Sequence, residues 1–372
     1  MLVRTVCLAF VLATAGCGAG GGGPVKDAEP SGKEPGGKAL GVVSTLELGE
    51  GKAGFVTALQ LAGPTLWIGT RAGLQSAAFD ASTRTLTLAK DEETTARFAN
   101  QEITDIQAEG GRVLIGTSFG YAIHEPAGGW TGEENGRVNA VLSLNSVLFV
   151  GRSGGIEAQV PGSGWAKLVP QPPLSRNQTS AQHVLSLAAH PEGAVWAGTR
   201  FGLLQFTYPA GRWEHFYASY QDIRSEKAVT DEVGNCELAG NFINFVRYDK
   251  PNDKLLVGTD IGFSIRDGKT GKWVTYTGDH TKYIVKDDNL QRIPVKGNLA
   301  LPSCEVHAVA LDEGSVLVAT KAGLARMTGT RLEVFNAERG LPDDGVNALA
   351  LDSASGTLIV GTEAGLAVMG LQ

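Results

Sequence analysis

The stretch Phe335–Gly370, FNAERGLPDDGVNALALDSASGTLIVGTEAGLAVMG, decides the fold, because shortened or decorated copies of it recur six more times upstream. Its core reads valine, polar, alanine, apolar, followed by a turn and an apolar run ending in Gly361-Thr362; two free positions then lead to Gly365-Leu366. The copies align on this step, at Gly69-Thr70, Gly116-Thr117, Gly151-Arg152, Gly198-Thr199, Gly258-Thr259, Ala319-Thr320 and Gly361-Thr362. A repeat of roughly 35 to 60 residues made of short β-rich runs and glycine turns is the signature of a propeller or a solenoid. Seven copies predict seven blades.

In each copy the apolar run before Gly-Thr is short and has no polar face, as expected of a strand sandwiched between neighbouring blades. The glycine that ends the run is expected to let the backbone turn tightly. No stretch carries a sustained helical period, so helix content should be very low. The last copy holds three strands and no fourth, whereas VSTLEL at Val43 to Leu48 alternates as a strand does and precedes the first full copy. That segment is expected to complete blade seven and to cover the sheet edges left open at the two ends of the chain. The predicted fold is all-β: a seven-bladed β-propeller closed by the N-terminal strand, spanning residues 41–372.

With 42% hydrophobic and 19% charged residues over 372 positions, the chain can bury a substantial core within one radially repeated domain. A formal net charge of −7 without a Lys/Arg cluster argues against nucleic acid as a partner.

The first residues, MLVRTVCLAFVLATAGCG, carry one cation, Arg4, and an apolar run from Val6 to Ala13 that is too short to span a bilayer. Residues 1–17 read as a secretory signal. Thr14-Ala15-Gly16-Cys17 resembles the bacterial lipobox, which implies acylation of Cys17 and attachment to a membrane through the lipid; Thr14 stands where leucine is commonest. The competing reading is an ordinary signal cut near Ala15. Residues 18–40 are rich in glycine, proline and charge and read as a flexible tether, whose twenty or so Gly-rich residues reach on the order of 25 Å.

Gly116-Thr117-Ser118-Phe119-Gly120 and Gly151-Arg152-Ser153-Gly154-Gly155 match the nucleophile elbow of serine hydrolases, but that elbow needs a strand-to-helix turn. Here the serines sit in the strand-to-strand turn of the repeat, where other copies have Arg71, Arg200, Asp260, Lys321 or Glu363. All six tryptophans fall on repeat positions, which favours packing over sugar binding. The six histidines show no metal-ligand spacing, and no catalytic set, metal or cofactor is expected.

The position after the first valine or isoleucine of each copy holds Thr57, Thr104, Asn139, Leu185, Asn244, His307 and Asn347. These residues either ring a mouth of the central channel or satisfy backbone groups where the inner strands begin. Three long insertions, Pro170 to His183, Ala218 to Asn241 and Thr277 to Glu305, join the outer strand of one blade to the inner strand of the next and so emerge on one face. Tyr217, Tyr220, Arg224, His280, Lys282 and Tyr283, with His307, are the candidate ligand-binding residues of that face. Cys236 and Cys304 lie in the insertions before blades five and six, in adjacent sectors, and are expected to form a disulfide in an oxidising compartment.

The pattern in Gly340-Leu341-Pro342, Val346-Asn347-Ala348, Leu358-Ile359-Val360-Gly361-Thr362 and Gly365-Leu366, and again in Leu66 through Leu74, is similar to the two-component regulator propeller repeat. The resemblance runs from about Val43 onward. It implies a propeller of the kind found in sensor portions of bacterial periplasmic proteins, often fused to histidine kinases, whose repeat residues serve folding. No kinase, DNA-binding segment or transmembrane helix follows the seventh copy in this sequence. The expectation is therefore a membrane-anchored binding or scaffold protein of the cell envelope, with a protein or polysaccharide ligand. An enzyme acting on a glycan or lactone, and a periplasmic sensor working with a separate kinase, are the alternatives. A pocket joining His307 to acidic residues of neighbouring blades would favour the enzyme, and a broad shallow face would favour binding.

Overall fold

The computed structural model describes residues 40–170, 181–209, 211–225, 228–286 and 289–371, less the side chains of 222–230. Residues 1–39, with the expected signal, Cys17 and tether, lie outside the described residues, as does the side chain of Arg224. The architecture is seven four-stranded antiparallel sheets and two two-stranded hairpins. In six of the sheets the strands follow chain order from the axis outward; in the seventh the outermost strand comes from the N-terminal end of the described residues. The inner strands are Val56–Ala62, Ile103–Glu109, Ala140–Leu144, Val184–Ala189, Ile243–Asp249, Val306–Asp312 and Val346–Asp352. Each touches the inner strand of the next sheet, and the seventh touches the first, so the ring of seven blades closes.

Burial follows the expected pattern. The second strands, such as Thr65–Thr70, Ala194–Thr199 and Thr357–Thr362, are almost wholly buried because neighbouring blades cover both faces. Outer strands such as Thr85–Leu88 alternate between exposed and half-buried. Among the described residues helix is confined to one turn and a half at Glu92–Arg97, whose N-cap Asp91 accepts from the Thr94 amide at 3.0 Å, and one 3-10 turn at Ala337–Arg339.

The Gly-Thr step has two separate physical causes, and the glycine's is not the one expected. It lies in extended backbone, and its role is to have no side chain: a Cβ on Gly69 would stand 2.6 Å from Ile103 Cγ2, on Gly151 2.5 Å from Val184 Cγ1, on Gly198 2.7 Å from Ile243 Cγ2, and on Gly361 2.5 Å from Val56 Cγ1. In each case the β-branched residue that opens the next blade fills the space. The tight turn is made downstream, where Gly73 and Gly365 adopt φ of 155° and 128° that L side chains rarely reach. The threonine closes this turn. Thr70 Oγ1 donates to the Gly73 carbonyl at 2.9 Å and accepts from the amides of Ala72 and Gly73 at 3.1 Å, and Thr199, Thr259, Thr320 and Thr362 repeat the arrangement.

Blade seven is completed by the N-terminal strand, Leu40–Leu46, two or three residues earlier than the segment expected. It pairs antiparallel with Gly365–Leu371, from Leu40 opposite Leu371 to Leu46 opposite Leu366, with a bulge between Val42 and Ser44. Leu40 and Leu371 are buried in one cluster with Phe335 and Met369. Deleting residues 40–46 removes this strand and exposes the edge of Gly365–Leu371. The expected result is a melting temperature lower by many degrees, or aggregation, in a thermal melt followed by circular dichroism; an unchanged melt would show that the ring does not need this closure.

Candidate functional site

The end of the channel at which the inner strands begin also carries the Gly-Thr turns and the long connections between blades. A belt of hydrogen bonds organises it. Thr57 Oγ1 donates to the Ile103 carbonyl and Thr104 Oγ1 to the Val138 carbonyl, both at 2.6 Å; Asn139 Nδ2 donates to Val184 at 2.8 Å, Asn244 Nδ2 to Val306 at 3.2 Å and Asn347 Nδ2 to Val56 at 3.0 Å. His307 Nδ1 faces the Val346 carbonyl at 3.0 Å. Each acceptor is the first residue of the next blade's copy, so the belt runs from blade to blade around the mouth. In every blade but the third, the belt residue is the extra residue of a β-bulge, which turns its side chain toward the neighbouring blade. Leu185 has no donor to contribute; one position on, Ser186 Oγ accepts from the Val246 amide at 3.1 Å. The two readings left open by the sequence are thus both realised: these side chains line the mouth and satisfy backbone carbonyls.

His307 belongs to this belt. Its Nε2 faces Glu305 Oε1 at 3.3 Å, so both ring nitrogens meet acceptors, and Glu305 is held below the ordinary carboxylate range, first by this hydrogen bond and against its own burial. Lys321 Nζ stands 3.9 Å from the other Glu305 oxygen. Asp260, in the Gly-Thr turn of blade five, is pushed up to about 6 by burial, with the charge of Glu305 adding and that of His280 opposing. Glu305 thus bonds His307, and Asp260 lies within electrostatic reach of Glu305 and His280; the sequence did not single out either acid as a candidate. Glu305 comes from the connection into His307's own blade, and neither acid lines the channel cavity.

The insertions form two hairpins outside the blades, Tyr220–Ser225 with Ala228–Glu232, and His280–Lys286 with Asn289–Val295. They touch: the Val285 amide donates to Gln221 Oε1 at 3.1 Å. Tyr217 and Tyr220 are brought together with their ring centroids 6.2 Å apart, and both pack on Phe201 of the blade-four turn, Tyr220 edge-on at 4.7 Å. His215 completes this aromatic group, its Nε2 2.9 Å from the Phe201 carbonyl, and burial pushes its pKa down. His280 Nδ1 faces the Gly278 carbonyl at 2.9 Å; Lys282 is exposed and Tyr283 half-buried on the second hairpin.

The expected disulfide between Cys236 and Cys304 is not formed. Cys236 keeps a free thiol, which burial pushes up in pKa, and packs with Phe216 and Trp273 in the cluster between blades four and five. Cys304 is buried against Gly278, just past the end of blade five's outer strand. Both cysteines are on the predicted face, but blade five stands between them.

Ser153, dismissed on its sequence context, has its Oγ 3.3 Å from His183 Nε2. Burial and the nearby Arg200 and Arg137 push His183 down. The serine sits in the strand-to-strand turn of the repeat, and no residue among those described holds His183 Nδ1.

The channel itself forms an axial cavity of about 340 Å³ lined by the inner strands. Asp105 lies in its wall at a position where other copies have alanine, serine or phenylalanine; that departure from the repeat is the signal that could have found it. Its Oδ2 accepts from the Val141 amide of blade three at 2.9 Å, yet burial outweighs this bond and pushes the carboxyl up to about 7. A folded-state pKa raised above the unfolded one means stability that is full below the unfolded value and lost as pH rises toward 7. Asp105→Asn keeps an acceptor for Val141 and removes the charge. Its unfolding free energy should gain on the wild type between about pH 4 and pH 7, by up to about 1.4 kcal/mol per pH unit over which only the folded carboxyl stays protonated. A difference that is independent of pH would contradict the assignment.

No family model matches the chain, and no curated protein matches it. Among solved structures it is similar to the computationally designed Ika8 protein, crystallised in P63, at 16% identity and a TM-score of 0.49, over 87% of this chain and 98% of that one.

Proposed function

We propose that this chain is a binding protein of the bacterial cell envelope, held to a membrane through an acylated Cys17, that captures a protein ligand on its insertion-bearing face. The observation that supports this reading best is the pair of mutually bonded hairpins, which belong to no blade and stand side by side on that face. Single exposed apolar side chains are spread over that face as well: Phe119 in a Gly-Thr turn, Val169 at the end of blade three, Val233 beside the first hairpin at 81% exposure and Leu290 on the second at 64%. Exposed aliphatic groups rimmed by polar ones suit a protein surface better than a sugar chain. Two of the three candidate tyrosine rings that a polysaccharide would use as platforms, Tyr217 and Tyr220, are already engaged with Phe201. The lipobox and tether, and the likeness of the repeat to the two-component regulator propeller, support the extracytoplasmic setting.

One specific contact favours a second reading. Ser153 and His183 are placed as a nucleophile and a base would be, which fits the alternative of a hydrolase.

The test uses the full-length protein in envelope extracts, with Val233→Asp and Leu290→Asp on the face and Val274→Asp on an outer blade strand. Affinity capture and mass spectrometry should recover a protein with the wild type and with the Val274 variant, and several-fold less of it with the other two. Equal recovery from all four forms would remove the face from the account, and a glycan as the captured species would overturn the choice of ligand. Covalent labelling of Ser153 by a fluorophosphonate would move the protein to the hydrolase reading. Metabolic labelling with a fatty-acid analogue should mark the wild type and not Cys17→Ala.

A further inference from the structure

We propose that the axial channel is a second binding site, for a small carboxylate held by the guanidinium of Arg247. The inner strands present the same repeat position at the same level, and here blade five has Arg247 where blades one and two have Gln60 and Gln107 and blades four, six and seven have Ala188, Ala310 and Ala350. A long cation thus replaces what is an alanine on both flanking blades, and those alanines leave room beside it.

The side chain opens onto the cavity of about 340 Å³, a volume within the range of small-molecule pockets. Arg247 forms no hydrogen bond or ion pair among the described residues. The side chain is exposed to the water of the channel, and the surrounding channel wall still pushes its pKa below the ordinary arginine value, with Asp249 opposing. A guanidinium offers five donors in a planar fork that matches a carboxylate edge-on, and a cation left this way gains most from an anion brought to it.

The other charged residues of the channel wall set the class of anion. Asp105 is already bonded to the Val141 amide, and Glu109 and Lys250 lie toward the far end of the channel. Two acids in the same channel oppose a dianion such as phosphate, whereas one carboxylate matches the single unpaired guanidinium. The site is independent of the insertion-bearing face, so failure of one leaves the other standing.

The test is thermal denaturation of the intact protein at constant ionic strength, titrated with acetate, propionate, inorganic phosphate or chloride, for the wild type, Arg247→Gln and Arg247→Lys. The expected result is a saturable rise of several degrees with acetate or propionate in the wild type, a smaller one in Arg247→Lys and none in Arg247→Gln. No rise beyond the chloride control would overturn the proposal, as would the same rise in Arg247→Gln or saturation with phosphate alone. If Arg247→Gln does not fold, Arg247→Lys decides: a clearly smaller rise than in the wild type supports the proposal and an equal one overturns it, because lysine keeps the charge without the fork.

Discussion

Everything in this molecule depends on how closely one blade can approach the next. At the Gly-Thr step, the missing side chain of one blade is filled by the β-branched residue that opens the following one: Ile103 over Gly69, Val184 over Gly151, Ile243 over Gly198 and, across the closure, Val56 over Gly361. Each of these valines and isoleucines is fully or almost fully buried, which is worth about 1.5–3 kcal/mol apiece. The interlock is directional, each blade receiving its successor, so it constrains the number of blades as well as their spacing. Blade six, with Ala319 at this step, shows that a methyl group can be accommodated there. The junction between the seventh and first blades is held in the same way as the others and again by the N-terminal strand, so the two chain ends are tied by both packing and pairing.

The belt at the channel mouth lies one residue beyond this interlock in the chain and follows from it. Once the first residue of a blade is seated against the preceding glycine, its carbonyl is fixed within reach of the preceding blade's bulged side chain, and a threonine, asparagine or histidine there completes the bond. A buried or half-buried carbonyl left without a partner costs about 1–3 kcal/mol, so the position is polar in six copies for a backbone reason. The exception, Leu185, falls at the junction into blade five, where Ser186 and the Val246 amide supply a bond one level deeper. The same blade carries Arg247, and the connections on either side of it form the two hairpins. Three departures from the repeat, at Leu185, at Arg247 and in the two hairpins, thus lie around blade five.

The fold was legible because its cause is local and repeated seven times: an apolar run, a glycine without room for a side chain, a threonine that closes a turn. The glycine was read for conformational freedom and proved to matter for its lack of volume, since the atoms it must avoid belong to the next copy. Residues whose partners come from other blades were harder to see. Asp105 and Arg247 gain their character from a channel that exists only when the ring is closed, and Asp260 and Glu305, which lie within electrostatic reach of each other, are some 45 residues apart in sequence. Cys236 and Cys304 were placed correctly on one face, but sector alone could not show that blade five separates them. The hairpins were recognised as insertions without their pairing, because Asn289–Val295 is almost entirely exposed and shows no apolar alternation to mark it as a strand.

The central claim is that glycine at the Gly-Thr step is required by the neighbouring blade's side chain and not by the backbone at that point. A double-mutant cycle on Gly69 and Ile103 tests it most directly, with unfolding free energies measured by denaturant titration. Gly69→Ala should destabilise through the clash with Ile103, and Ile103→Ala through the cavity it leaves. The account predicts that the double variant loses clearly less than the sum of the two, with a coupling of about 1 kcal/mol or more, because the added methyl group then fills the vacated space. Strict additivity would contradict the account, since it would mean that the glycine answers to its own backbone and the blades are not interlocked at this step.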